Sequence, residues 1–155
     1  VDLVAVAAAV LEELVALAQR RHIDLGLETT EAHVWVEGNG ELFHAMVMNL
    51  VDNAIRYIHE GGRVTVAIDS PQDMARLRVI DDGPGIQAEA RQRVFERFYR
   101  NAPPGQPGTG LGLAIVKEIV AASYGTVTLA SGDDGRGLMV TVTLPLAIEA
   151  ERNAL

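Results

Sequence analysis

Cysteine is absent from the 155-residue chain, and this absence excludes several classes of protein. Without cysteine there is no disulfide framework, no zinc-thiolate site and no thiol nucleophile. Long apolar runs are also missing, since charged residues interrupt each run well before the roughly 18 residues that a membrane-spanning helix needs. A secretory signal is not expected, because the N-terminal segment carries Asp2, Glu12 and Glu13 where a signal would be basic.

Basic residues are scarce, since 13 lysines and arginines stand against 21 aspartates and glutamates, and the formal net charge is -8. A chain whose main partner is nucleic acid would need a broad basic face, so we expect no nucleic-acid partner. A small anionic ligand held by local donors remains compatible with this charge. Hydrophobic residues make up 48% of the chain, which is typical of a packed globular domain.

Hydrophobic periodicity predicts three helices and about six strands. Apolar residues recur at helical spacing in Val1–Arg21, Glu41–Ile58 and Thr109–Ser123. Alternating apolar residues predict the strands Ile23–Leu27, His33–Val36, Arg63–Asp69, Ala75–Asp81, Thr126–Ser131 and Leu138–Leu144. Ser70–Asp73 is expected to be a hairpin loop, and the last two strands are expected to form a terminal hairpin.

This order is not a regular alternation of strands and helices, so it predicts an α+β fold, a two-layer sandwich with helices covering one face of the sheet. Residues 82–110 show little periodicity, apart from a short predicted helix at Glu89–Phe98. A loop of this length is usually functional, or else indicates that an element has been assigned wrongly. We expect one domain over residues 1–148 and a frayed tail over 149–155.

The second predicted helix carries Asn49 and Asn53, which are four residues apart and share a face. That face otherwise resembles a buried stripe, and an amide buried without partners is costly. The two side chains could form ordinary hydrogen bonds between helices. Alternatively, an amide oxygen could bind Mg²⁺, a hard cation that also takes phosphates and waters as ligands. Arg56 follows closely enough to reach the same phosphates.

A glycine turn containing Gly83, Gly85 and Ile86 follows the strand that ends at Asp81. Asp-Gly and Pro-Gly are common turn pairs, so a simple turn is one interpretation. Because Asp81 continues the strand, its carboxylate could instead accept a hydrogen bond from an amino group such as that of adenine. The glycines would then allow the ligand to approach the backbone closely.

A second glycine-rich segment, Gly108-Thr109-Gly110-Leu111-Gly112-Leu113, leads into the third predicted helix. Glycine-rich loops at a helix N-terminus expose amide donors that suit phosphate. The spacing does not fit a dinucleotide fingerprint, because Leu113 stands where the last glycine should be. It does not fit a Walker A loop either, because no Gly-Lys-Ser/Thr is present.

The segment between the two glycine motifs holds Phe95 and Phe98, followed by Tyr99 and Arg100, within a cluster of arginines. A basic segment anchored by aromatic residues suits a lid that covers an anion. A solvated surface helix packed by the two phenylalanines is the alternative.

In this order, the four motifs resemble the nucleotide-binding boxes of the GHKL ATP-binding superfamily. The closest resemblance is to the catalytic, ATP-binding domain of bacterial sensor histidine kinases, and it extends from about Val1 to Pro145. It implies the Bergerat fold, an α/β sandwich in which three helices cover a mixed sheet of about five strands. A mobile ATP lid is implied at about residues 88–110, with ATP and Mg²⁺ as cofactors.

The resemblance also implies a role for each motif residue. Asn53 matches the asparagine that binds Mg²⁺, and Arg56 matches the basic residue on the phosphates, so both are expected to be catalytic. Tyr57 matches the adjacent aromatic residue, and Asp81 matches the carboxylate that binds the adenine amino group. The other expected nucleotide contacts are Asn49, Gly83, Gly85, Ile86, Tyr99, Arg100, Gly108, Thr109, Gly110, Leu111, Gly112 and Leu113.

Two departures from the family pattern bear on these roles. Ser123-Tyr124-Gly125 stands where His-Gly-Gly is usual. Gly137-Leu138 replaces a pair whose second residue commonly places a hydroxyl near adenine, so we expect a looser or re-hydrated contact with the base. Neither departure touches the residues assigned to Mg²⁺ or phosphate, and ATP binding is still expected.

Asn49 separates the branches of the superfamily, because gyrase-like and chaperone-like ATPases carry a glutamate there that orients the attacking water. An amide cannot act as that general base, so phosphoryl transfer to a protein side chain is favoured over hydrolysis. None of the four histidines has the expected setting of a phosphoacceptor, and these are His22, His33, His44 and His59. The acceptor histidine is therefore expected on a separate dimerisation domain of the same kinase.

The resemblance further implies relay of the phosphoryl group to a response regulator. The isolated domain is expected to be monomeric and cytoplasmic, within a parent protein anchored in the bacterial inner membrane. Two alternatives remain open at this point. One is a serine kinase of the type that acts on anti-sigma factors, and the other is a nucleotide-sensing or docking module without turnover.

Overall fold

The structure is a computed structural model that describes residues 1–83, 112–132 and 136–148. Within these residues the chain forms three helices and five strands. The helices are α1 Leu3–Arg20, α2 Gly40–Tyr57 and α3 Gly112–Ala122, and the strands are β1 Asp24–Thr29, β2 Arg63–Asp69, β3 Met74–Asp81, β4 Thr126–Ala130 and β5 Met139–Pro145. The predicted short helix at Glu89–Phe98 lies outside the described residues.

The five strands form one mixed sheet in the order β1-β2-β3-β5-β4. β1 pairs with β2 in parallel, and the other three pairs are antiparallel. A short 3₁₀ turn at Pro71–Asp73 connects β2 to β3, so the predicted hairpin is confirmed. The mixed five-stranded sheet with three helices is the architecture that the resemblance implied.

The alternation of apolar residues places one face of the sheet against the helices. Val64 and Val66 in β2 and Leu77 and Val79 in β3 are buried and belong to the core. The helices supply the other half of this core, with Phe43 of α2 fully buried. Because successive strand residues point to opposite faces, the residues between them lie on the outer face, away from the helices. The result is the predicted two-layer sandwich.

One predicted strand, His33–Val36, is not a strand in the structure. Trp35 forms an isolated bridge with Asp2, and Val36 forms one with Leu146. The two partners belong to different segments, because Asp2 precedes α1 and Leu146 follows β5, so no continuous ladder forms. The apolar alternation was nevertheless informative, because Val34 and Val36 are both buried in the core.

Both ends of α1 are capped. Asp2 is the N-cap predicted from the sequence, and its Oδ1 accepts a hydrogen bond from Val4 N at 3.1 Å. At the other end Ile23 N donates to Ala18 O at 2.9 Å, and His22 has a φ of 55°. This is a Schellman arrangement with a non-glycine residue in the left-handed position. Among the described helices, none is long and apolar enough to span a bilayer.

Candidate functional site

The two asparagines of α2 meet the first residue of α3. A Cβ atom added to Gly112 would lie 3.2 Å from Asn53 Nδ2 and 3.3 Å from Asn49 Oδ1. Asn49 Nδ2 donates to Ala45 O at 2.9 Å, which satisfies its amide and leaves the oxygen on the side of Gly112. The close approach explains the glycine, since a larger residue would push the N-terminus of α3 away from these amides.

This junction combines a helix N-terminus with amide side chains. The first amides of α3 lack partners within the helix, and such a terminus favours a negatively charged group. Asn53 offers a hard oxygen, which is the ligand type that Mg²⁺ prefers alongside phosphates and waters. Among the described residues, no three acidic or histidine side chains cluster to hold a metal ion by themselves.

Arg56 lies one turn after Asp52 on α2 and is held by it. Arg56 Nε donates to the two carboxylate oxygens of Asp52 at 2.9 and 3.0 Å. The arginine side chain is 40% exposed, so its guanidinium remains accessible to an anion. Tyr57 ends the same turn and is half-buried. The structure therefore places Asn53, Arg56 and Tyr57 together at the C-terminal end of α2.

Asp81 ends β3 on the face of the sheet that packs against the helices. It lies opposite the fully buried Val64 in the antiparallel register, so it continues the buried side of the alternation. Its Oδ1 accepts hydrogen bonds from Gly83 N at 2.9 Å and from Leu138 N at 3.2 Å. Both bonds reach the same oxygen, which fixes the orientation of the carboxylate.

The environment of Asp81 changes its acidity. Burial raises the pKa of the Asp81 carboxyl above its usual range, and the backbone hydrogen bonds from Gly83 and Leu138 partly offset this rise. The neighbouring Asp82 carboxylate raises the pKa further, and His59 lowers it. A partly desolvated carboxylate with a fixed orientation is a strong acceptor for a hydrogen bond from an amino group.

Gly137 is a site residue whose importance the sequence did not reveal. Its φ is +69°, and a Cβ atom there would lie 1.9 Å from Asp81 O. The Gly137-Leu138 pair thus has a backbone role, because Leu138 N binds the Asp81 carboxylate and Leu138 O accepts from Asp81 N at 3.0 Å. Although leucine stands where a hydroxyl-bearing residue is common, the backbone of Leu138 still provides hydrogen-bond partners for Asp81.

Ile58 is a second residue that sequence reasoning missed. It is 4% exposed, and its Cγ2 would lie 2.7 Å from a Cβ atom added to Gly83. The glycine that donates to Asp81 therefore rests directly on the residue that follows α2. In the sequence Ile58 was only the last residue of the predicted helix Glu41–Ile58, and it is the fold that brings it against the turn after β3.

Of the predicted nucleotide contacts, the structure brings Asn49, Asn53 and Gly112 into contact, and Leu113 packs against the core in the next position. Asp81 and Gly83 form a second group, joined by the hydrogen bond from Gly83 N. Further predicted contacts lie outside the described residues and stay predictions, namely Gly85, Ile86, Tyr99, Arg100, Gly108, Thr109, Gly110 and Leu111.

Comparison with known proteins assigns the family. Residues 38–148 match the model of the histidine kinase-, DNA gyrase B-, and HSP90-like ATPase family. Sensor protein kinase PmrB of Pseudomonas aeruginosa is 43% identical over 146 residues, which cover 94% of this chain and 30% of that protein. The chain therefore spans less than a third of this curated relative.

Solved structures agree with this assignment. The mycobacterial sensor histidine kinase MprB superimposes with a TM-score of 0.82 at 33% identity, covering 94% of this chain and 95% of that one. Full-length ShkA in complex with AMPPNP superimposes with a TM-score of 0.83 at 28% identity, covering 95% of this chain and 30% of that one. The fold is thus that of histidine kinase catalytic domains.

Proposed function

Because the chain belongs to the histidine kinase-, DNA gyrase B-, and HSP90-like ATPase family, we propose that it binds ATP with Mg²⁺ and delivers the γ-phosphoryl group to a histidine of a sensor kinase. The observation that carries the proposal is the fixed, partly buried carboxylate of Asp81 at the end of β3. It lies on the helix-covered face of the sheet, as do the asparagines of α2 that meet α3.

The carboxylate of Asp81 selects the base. Two backbone N–H groups bind Oδ1, which leaves Oδ2 to accept from the 6-amino group of adenine. Guanine would present a carbonyl oxygen at that position, and two acceptors facing each other repel. The site therefore favours adenine nucleotides.

The junction of α2 and α3 handles the phosphates. When bound, Mg²⁺ neutralises charge that develops on the transferred group, and Asn53 supplies its protein oxygen. Amides at the start of α3 stabilise phosphate charge, and the exposed guanidinium of Arg56 adds a cation. Phosphoryl transfer mainly requires such positioning and charge neutralisation, so these residues need not supply a nucleophile.

The acceptor histidine is proposed to lie on the dimerisation domain of the same kinase. Three of the four histidines pair with carboxylates, His22 with Glu60 at 2.8 Å among them. Asn49 lacks the basicity to activate a water, which favours transfer over hydrolysis. The phosphoryl group then passes to a response regulator in the cytoplasm, where ATP is available. The reported relatives are sensor kinases, so the serine kinase and the docking module are not favoured.

Calorimetric titration with Mg²⁺-ATP tests the adenine assignment through Asp81→Asn. The amide oxygen must take the two backbone N–H bonds, so the amide NH₂ would face the adenine amino group. Loss of a hydrogen bond to a charged group, about 1.5–3 kcal/mol, weakens binding by about 10- to 150-fold. Asp82→Asn is the matched control, because it removes a neighbouring charge. Equal affinity of wild type and Asp81→Asn would show that the carboxylate does not bind the base.

The same titration at several pH values tests the state of the carboxylate. Because burial raises the pKa of Asp81, binding should weaken on acidification at a higher pH than an ordinary aspartate would cause. Asp81→Asn has no carboxyl at this position and lacks the transition. The phosphates of the nucleotide titrate equally in the experiments with the variant and with wild type, so their effect cancels in a comparison of the two. The ratio of the two affinities should therefore decrease towards acid pH, and a constant ratio would contradict the proposal.

Phosphoryl transfer is tested by mixing the chain with radiolabelled ATP, Mg²⁺ and the dimerisation fragment of its parent protein. The label should appear on that fragment and should be acid-labile, as expected for a phosphorylated nitrogen. Asn53→Ala should abolish labelling. Normal nucleotide binding without any label on the fragment would refute the transfer step while leaving ATP binding intact.

A further inference from the structure

The last turn of α2 ends without the usual glycine cap. Ile58 follows the helix in an extended conformation, with a φ of -92° and a ψ of 165°. The last carbonyl groups of a helix have no partner within it and need donors from elsewhere. Arg21 supplies them, because its Nη1 donates to Ile55 O and its Nη2 donates to Ile58 O at 2.7 Å.

The end of α1 determines where this guanidinium lies. Arg21 is the C-cap residue of the Schellman arrangement described above, so its backbone is fixed by the helix end. Two backbone bonds reinforce the connection. Gly61 N donates to Arg21 O at 3.1 Å, and Asp24 N donates to Gly62 O at 2.9 Å. The turns after α1 and after α2 are thus held together by side-chain and backbone bonds.

The clamped segment of α2 is also the one that supports the nucleotide site. Ile58, whose carbonyl binds Arg21, lies under Gly83. Gly83 N in turn donates to Asp81 Oδ1 at 2.9 Å. The preceding turn carries Arg56. A shift at the end of α2 would therefore displace the turn that orients the carboxylate.

We propose that Arg21 is a positioning residue for the nucleotide site, acting through the carbonyls of Ile55 and Ile58 and the contact of Ile58 with Gly83. This inference depends on the proposed nucleotide binding. Arg21 reaches no phosphate in this scheme, and its effect is to keep the last turn of α2 and the Gly83 amide in place. A cation at a helix C-terminus also stabilises that end through the helix dipole.

Arg21→Met tests the proposal, since methionine keeps much of the apolar stem and removes the donors. Arg20→Met is the matched control, because it removes the same charge from the preceding, exposed position of α1. Both variants are titrated with Mg²⁺-ADP by calorimetry, at a temperature where circular dichroism shows each to be folded. We expect affinity to fall roughly tenfold for Arg21→Met, which corresponds to about 1.4 kcal/mol, and to change less than about twofold for Arg20→Met.

Two further readouts separate positioning from a general loss of stability. A looser Gly83 amide stabilises the Asp81 carboxylate less, so the acid transition of nucleotide binding should move to higher pH in Arg21→Met. Arg21→Lys should restore part of the affinity, because an ammonium group can still donate to one of the carbonyls. If Arg21→Met does not fold, the lysine variant and its pH profile carry the test.

Wild-type affinity and pH profile in Arg21→Met would overturn the inference, even if its melting temperature were lower. If the methionine variant does not fold, the inference is overturned by an Arg21→Lys variant that has wild-type affinity and an unchanged acid transition. Failure of wild type itself to bind Mg²⁺-ADP or Mg²⁺-ATP would instead refute the proposed function. The two failures are therefore distinguishable within one set of titrations.

Discussion

Substitution of Gly137 by alanine should be the most informative single change in this domain. The glycine has a φ of +69°, and an alanine held in this left-handed conformation costs about 1–2 kcal/mol. The added Cβ atom would also lie 1.9 Å from Asp81 O, so the end of β3 or the start of β5 must move. Such overpacking typically costs a further 1–3 kcal/mol. We expect Gly137→Ala to lower the free energy of unfolding by about 2–5 kcal/mol.

Gly61→Ala is the control that separates the cost of the close contact with Asp81 O from the cost of the left-handed conformation. Gly61 has a φ of +83°, but a Cβ atom there would meet no atom within 4 Å. Only the conformational cost of about 1–2 kcal/mol applies to it. Urea unfolding of the two variants beside wild type measures both changes, with equal m-values as evidence that the denatured states are comparable.

The displaced strand end should also affect the ligand. Where Gly137→Ala remains folded, Asp81 and its carboxylate must shift, so Mg²⁺-ATP should bind more weakly than to Gly61→Ala. Calorimetry on the same samples measures this difference. If Gly137→Ala were no less stable than Gly61→Ala and bound nucleotide equally well, the close packing of Gly137 against Asp81 would be refuted.

Two stability predictions concern residues away from the site. A hydrogen bond from Arg76 to Asp69 lowers the pKa of the Asp69 carboxyl. This pair stabilises the fold above the unfolded-state pKa, and the contribution is lost as the pH falls through the lower folded-state pKa. Solvent partly screens the pair, so Asp69→Asn should lower the free energy of unfolding by about 1 kcal/mol or less at pH 7. Below the folded-state pKa the same substitution should lower it by almost nothing. Urea unfolding measures both values, and an equal loss at the two pH values would contradict the prediction. Tyr124 is 89% exposed and has a φ of 60°, a left-handed conformation that glycine adopts without strain. Tyr124→Gly should therefore raise the melting temperature and increase the free energy of unfolding by about 1 kcal/mol, whereas Tyr124→Ala should not. Equal melting temperatures of the two variants would refute the backbone strain.

Local patterns in the sequence were sufficient for the elements that build the site. The strand Arg63–Asp69 has the predicted bounds, and both long helices were predicted to within two residues. These elements are encoded by alternation and helical periodicity, which are properties of neighbouring residues. The four motifs also indicated the family, because their order along the chain is specific.

Features that depend on contacts between distant segments could not be predicted in this way. The guanidinium of Arg21 binds carbonyls that are 34 and 37 positions away, and nothing in its local sequence indicates this. Gly137-Leu138 was interpreted through its missing hydroxyl, whereas the structure shows that the backbone of this pair holds Asp81. His33–Val36 has a strand pattern but no single neighbour to pair with.

The two glycines that flank residues 84–111 have a consequence for how this family of domains can diversify. Gly83 rests on Ile58, and Gly112 rests on Asn49 and Asn53, so the chain departs from and returns to the same helix. A side chain at either glycine would press on these neighbours, so packing itself restricts substitution at both positions, apart from any contact with nucleotide. Divergence of these domains is therefore limited at Gly83 and Gly112 by the scaffold.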